Sequence, residues 1–95
     1  MELVFLPSTQ ADLAWMRTYY TRVFPEGARR AAAQYARTRN LLLQNPLIGH
    51  AVEDGEGIRE FSIPRMPFSF IYRVVDDRIE VLRVWDERGD RSKLG

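Results

Sequence analysis

The spacing of apolar residues changes once along this chain, near Gly57, and that change restricts the fold more than any other feature. Before it, apolar residues recur at helical intervals; after it, they alternate. Leu13, Met16, Tyr20 and Val23 lie on one helical face, and Phe24-Pro25-Glu26-Gly27 interrupts it. A second helix is predicted from about Glu26 to Gln44, with Ala28, Ala31, Ala32, Tyr35, Leu42 and Leu43 on its apolar face. Asn45-Pro46 ends it, because the residue before a proline is pushed out of helical geometry. So short a breaker predicts an antiparallel helical hairpin, with the alanines allowing close approach. Residues 2–6 read as a short strand. Thr9-Gln10-Ala11-Asp12 has the spacing of a capping box, with Asp in place of Glu.

In the second half, residues 47–56 read as a loop. Arg59, Phe61 and Ile63 then alternate with Glu60 and Ser62, and Pro64-Arg65-Met66-Pro67 turns the chain. Phe68 to Val75 is nearly all apolar, as suits a central strand, and Arg78 to Trp85 is the next strand. A two-residue Asp76-Asp77 turn pairs Val75 with Arg78 and sets Arg73 opposite Glu80. In that register one face carries Ile71, Val75, Leu82 and Val84; the other carries Phe68, Phe70, Tyr72, Ile79, Val81, Arg83 and Trp85. The expected class is α+β, with an N-terminal strand, a helical hairpin and a three-stranded antiparallel meander. The helices cover one sheet face and leave the other, or its rim, to a partner. Phe68, Phe70 and Trp85 are the apolar rim expected to meet one.

A chain of 95 residues supports a single domain over 1–95. It has no cysteine, which excludes disulfides, thiol catalysis and Cys-based zinc sites. Its one histidine, His50, excludes a multi-histidine metal site and reads as an exposed loop residue. Gly55-Glu56-Gly57 leads into a strand, not a helix, so it is no phosphate loop. No metal and no cofactor are expected. Glu53, Asp54 and Glu56 read as a solvated cluster. No apolar run approaches the ~20 residues of a membrane span, and residues 1–7 do not make a signal peptide, so a cytoplasmic protein is expected.

The 14 basic residues include only one lysine, Lys93. Arginine holds carboxylates and phosphates bidentately and stacks on aromatics. A net charge of +1 gives no ground for nucleic-acid binding by itself. Arg59, Arg73, Arg83, Arg88 and Arg91 lie along the strands or just beyond them. Either each is paired, Arg73 with Glu80, Arg59 with a nearby acid and Arg83 with Glu60 or Asp86, or some line the open face and meet an anionic partner. Arg59, Arg83, Trp85, Arg88 and Arg91 are the candidate residues for binding such a partner. Trp15 and Tyr19 flank a core position at Tyr20.

The segments Ile58-Arg59-Glu60-Phe61, Phe68-Ser69-Phe70-Ile71-Tyr72-Arg73-Val74 and Ile79-Glu80-Val81-Leu82-Arg83-Val84-Trp85 resemble the RelE/ParE superfamily. These are toxins of type II toxin–antitoxin modules, often described as plasmid stabilisation proteins. RelE-like members cut mRNA on the ribosome with basic strand residues and a C-terminal tyrosine or histidine. Here the corresponding positions fall near Glu60 and Ser62, at Ser69, at Gly89 beside Arg88, and near Gly95. A phosphoryl-transfer site does not survive losing its charge stabilisers and its base together. The resemblance therefore implies the ParE-like branch: inhibition of DNA gyrase by binding, no catalytic residue, and neutralisation by a ParD-like antitoxin in a hetero-oligomer. It implies no sequence-specific DNA binding by the toxin alone and no membrane. The alternatives are a RelE-like mRNA endonuclease and a non-toxic antitoxin-bound relative. After the last strand the family pattern is more basic than Trp85-Asp86-Glu87-Arg88-Gly89-Asp90, which bears on the target.

Overall fold

The computed structural model describes residues 1–53 and 55–89. Strand β1 (Glu2–Phe5) leads through a 3₁₀ turn at Pro7–Thr9 into helix α1 (Gln10–Thr18), which continues as a π turn over Tyr19–Val23. A second 3₁₀ turn, Pro25–Gly27, opens helix α2 (Ala28–Gln44). Strands β2 (His50–Ala51), β3 (Ile58–Ser62), β4 (Phe68–Val75) and β5 (Arg78–Asp86) complete the order. The α+β arrangement expected from the period change is present, with β2 added inside the segment read as a loop.

The sheet order is β1-β5-β4-β3-β2, with β1 parallel to β5 and every other pair antiparallel. The core lies between the helices and the face bearing Phe68, Phe70, Tyr72, Ile79, Val81 and Val84, all essentially buried. Tyr35 of α2 packs on Phe5 and Phe70, and Tyr19 and Tyr20 of the π turn pack on Phe68. Each fully buried large side chain contributes about 1.5–3 kcal/mol relative to exposure. Phe68 and Phe70 are therefore core anchors, and the rim expected of them does not exist. They flank Ser69 on a strand whose other face carries Ser69, Ile71, Arg73 and Val75.

The Asp76-Asp77 turn sets the register as predicted for Val75↔Arg78 and Arg73↔Glu80. Asp76 takes a left-handed conformation, φ 54°, which aspartate tolerates better than most residues. Beyond Tyr72↔Val81 the pattern shifts: Ile71 pairs with Arg83 and Phe70 with Val84, so Leu82 has no partner. This is a β-bulge, and it exchanges the faces of everything after it on β5. Val84 enters the core, while Arg83 and Trp85 pass to the open face with Ile71 and Ser69. The face assignment based on a continuous ladder fails for those three residues.

The predicted capping box does not form. The Thr9 hydroxyl donates to the Leu6 carbonyl at 2.7 Å and makes no cap bond. Asp12 is used elsewhere. Because β1 ends at Phe5, the edge of β5 past Val81 has no neighbouring strand. The Ser8 hydroxyl donates to the Leu82 carbonyl (2.7 Å), and the Val84 N–H donates to Asp12 Oδ2 (2.9 Å). Side chains from the start of α1 thus serve the backbone groups that a longer β1 would have paired.

Candidate binding surfaces on the sheet and at its end

The five candidate residues separate. Arg59 is in β3, but its Nη1 donates to the carbonyls of Leu47 (3.2 Å) and Gly49 (2.7 Å). It clasps the loop after α2 and finds carbonyls where an acid was expected. The buried Tyr72 hydroxyl completes the clasp, donating to the Pro46 carbonyl (2.8 Å) and accepting from the Gly49 N–H (2.9 Å). Burial raises the Tyr72 pKa, so the hydroxyl stays protonated. Arg91 lies outside the described residues, as does Asp54.

Arg83 and Trp85 share the open face, with the guanidinium 5.3 Å from the indole centre. Arg83 also holds Asp12 in a two-point contact at 2.7 and 2.9 Å. The hydrogen bonds to that carboxylate, and to a lesser extent its charge, raise the Arg83 pKa. The partner is neither Glu60 nor Asp86 but an acid 71 residues away in sequence. The Arg73–Glu80 pair is present as predicted, at 2.8 Å, and Arg78 joins it at 2.6 Å. Hydrogen bonds from Arg73 and then Arg78 lower the Glu80 pKa.

Arg88 is organised too. Its side chain binds the two Asp86 carboxylate oxygens at 3.0 Å each, and its backbone N–H donates to the same group. The Trp15 indole N–H donates to Asp86 at 2.8 Å, and the Arg88 guanidinium lies 4.4 Å from the Tyr19 ring centre. Hydrogen bonds from Arg88 first, and then from Trp15, hold the Asp86 pKa down to about 2. Trp15, Tyr19, Asp86 and Arg88 thus form one exposed patch where α1 meets the end of β5. The i, i+4 spacing of Trp15 and Tyr19 was a visible signal of a shared helical face; nothing local linked that face to Asp86.

The middle of the open face holds a third group. Ser62 and Ser69 face each other across β3 and β4, and both hydroxyls donate to the Glu87 carboxylate. Glu60 lies on the same face, nearly buried, 3.8 Å from the exposed His50 ring. Among the described residues no three carboxylate or imidazole groups gather as a metal site. The surface here is two hydroxyls closed over by an acid.

Comparison with known proteins agrees with this architecture. The family model described as ParE toxin of type II toxin-antitoxin system, parDE, matches residues 3–91. A solved structure, the chromosomal ParDE TA system from P. aeruginosa, is similar with a TM-score of 0.67 and 28% identity. The match covers 88% of this chain and 92% of that one. No curated protein sequence matches.

Proposed function

Because this chain belongs to the ParE toxin family of type II toxin–antitoxin systems, we propose that it is a toxin acting by binding, with DNA gyrase as its target. A cognate ParD-like antitoxin neutralises it in a hetero-oligomer in the cytoplasm. The observation that carries this reading is the Ser62–Ser69–Glu87 group. It occupies the strand positions where RelE-like relatives place the cations that hold a scissile phosphate. A carboxylate closing that spot repels an RNA backbone instead of stabilising it. Neither hydroxyl has a histidine or lysine base among its described partners.

The Asp86–Arg88–Trp15–Tyr19 patch supports binding through the end of β5. It combines a charged fork with exposed aromatic area, the composition of protein interfaces. The test is induced expression with and without the adjacent small reading frame, followed by a supercoiling assay on purified gyrase and mapping of mRNA ends. Inhibited supercoiling with intact mRNA is expected, as is growth inhibition that survives His50→Ala and Glu60→Gln. Ribosome-dependent mRNA cleavage abolished by one such substitution would refute it.

A further inference from the structure

We propose that the cavity between α2 and the β3–β4 turn is a phosphate site that takes a nucleotide, either free or at the end of a nucleic-acid strand. The cavity encloses about 640 Å³ and is lined by Tyr20, Phe24, Arg30, Gln34, Arg37 and Arg65 among others. It lies on the helix side of the molecule, apart from the open-face groups. Its size falls within the roughly 300–1,000 Å³ of small-ligand sites.

Two separate costs meet in this cavity. The first is backbone strain. Met66 N–H donates to the Ile63 carbonyl at 3.1 Å, closing a four-residue turn with Pro64 second and Arg65 third. Arg65 has φ 65°, a conformation that such turns reserve for glycine or asparagine. Arginine gains nothing there from its backbone. The second cost is like charge, a modest one because the arginines are exposed to solvent. Arg30, Arg37 and Arg65 line one space, and among the described residues none has a hydrogen-bonding or ionic partner. Arg59, Arg73, Arg78, Arg83 and Arg88 are engaged with acceptors; Arg17, Arg22 and Arg29 have none among the described residues either but lie off this cavity, so what sets the three apart is the space they share.

Three guanidiniums against one acid, one of them held in a strained turn, suit a multiply charged oxyanion that binds several of them bidentately. The walls say more about the ligand. Tyr20 and Phe24 offer rings on which a base can stack beside the phosphates. Glu26, the acid on the wall, is also without a partner among the described residues and can accept from an exocyclic amine or a ribose hydroxyl. A nucleotide supplies all three kinds of group.

The experiment is calorimetric titration of the full chain at low salt with ATP and with oligoriboadenylates of one length, with and without a 5′-phosphate. Arg65→Gly is the decisive variant, because glycine relieves the turn. It is expected to melt higher than the parent and to bind ATP on the order of tenfold more weakly, as loss of one charged contact implies. Arg30→Gln and Arg37→Gln should each weaken binding similarly, and Arg29→Gln, off the cavity wall, should not. Tighter binding of ATP than of the 5′-phosphorylated strand identifies a free nucleotide as the ligand; the reverse order identifies a strand end. Full ATP affinity in Arg65→Gly overturns the proposal. So does binding of polyglutamate with neither nucleotide probe, or no binding below millimolar concentration.

Discussion

Replacing Asp12 by alanine tests how α1 is fastened to the sheet. The Asp12 carboxylate receives two hydrogen bonds from Arg83 and one from the Val84 backbone. The side chains are 13% and 30% exposed, respectively, so solvent weakens the contact without removing it. Charged hydrogen bonds contribute about 1.5–3 kcal/mol net, and an orphaned backbone N–H costs about 1–3 kcal/mol. Allowing for the exposure and for water reaching Arg83, the loss should be about 2–4 kcal/mol. In a domain this small that lowers Tm by roughly 10–20 °C. Asp12→Asn keeps an acceptor but no charge and should lose about half as much. Urea unfolding of Asp12→Ala, Arg83→Met and the double variant measures the coupling directly. The double variant should fall short of the summed single effects by about 1–3 kcal/mol. Strict additivity, or a change under ~0.5 kcal/mol in Asp12→Ala, would refute the reasoning. The same experiment sets the terms for reading any toxicity loss at Arg83, which disturbs folding and the open face together.

Other outcomes follow from single contacts. Asp86 titrates near 2 in the folded chain against an ordinary 3.8. Its contribution to stability is thus complete above about pH 3.8 and is lost as pH falls through about 2. The melting difference between the parent and Asp86→Asn should shrink across that window, and a constant difference would count against the Arg88 and Trp15 contacts. Tyr72→Phe removes both hydroxyl bonds of the 46–49 loop and should cost about 1–3 kcal/mol, with faster exchange of the Gly49 amide; unchanged exchange would deny the clasp. Gly49→Ala should be no milder, since a Cβ there would lie 2.7 Å from the Tyr72 hydroxyl and 2.9 Å from the Glu60 carbonyl; a wild-type melt would contradict this. Arg88→Gln should change Tm little, because Arg88 is 49% exposed. It should nonetheless weaken growth inhibition in a graded way; full toxicity would remove the end of β5 from the binding surface.

The parts of the fold that were legible in the sequence are those fixed by near neighbours. The helical face of Leu13, Met16 and Tyr20, though not Val23, which is exposed, the stop at Asn45-Pro46 and the Arg73–Glu80 pair each depend on a period or a turn a few residues away. The turn at Asp76-Asp77 fixed the register only while the ladder ran without interruption. Leu82 looks like any apolar strand residue, and no local signal marks it as the one left over. Asp12 satisfied a helix-start pattern, yet a backbone edge far along the chain offered its carboxylate a stronger partner. The candidate site was less readable for the same reason. Arginines could be counted, but their acceptors could not. Arg59 met carbonyls of a loop, Arg83 met Asp12, and Arg88 met a carboxylate also claimed by Trp15. Arg30, Arg37 and Arg65 belong to two separate elements and come together only in three dimensions.

The bulge gives β5 two origins of counting. From the Asp76-Asp77 turn to Val81, a residue's face is fixed by its distance from the turn. From Arg83 onward it is fixed by distance from the far end, where Ser69↔Trp85 and Phe68↔Asp86 hold the pairing. Leu82 is where the two counts disagree by one. What matters at this position is therefore less the side chain than whether the residue is paired or left over. A smaller residue at 82 leaves every other face in place. Deleting it would let Ile71↔Arg83 follow Tyr72↔Val81 directly, with Arg83 still on the open face and Val84 still in the core, whereas a ladder that kept Leu82 and paired it with Ile71 would set Arg83 opposite Phe70 and expel Val84. The parity of one strand thus decides whether a cation or a valine meets the helices.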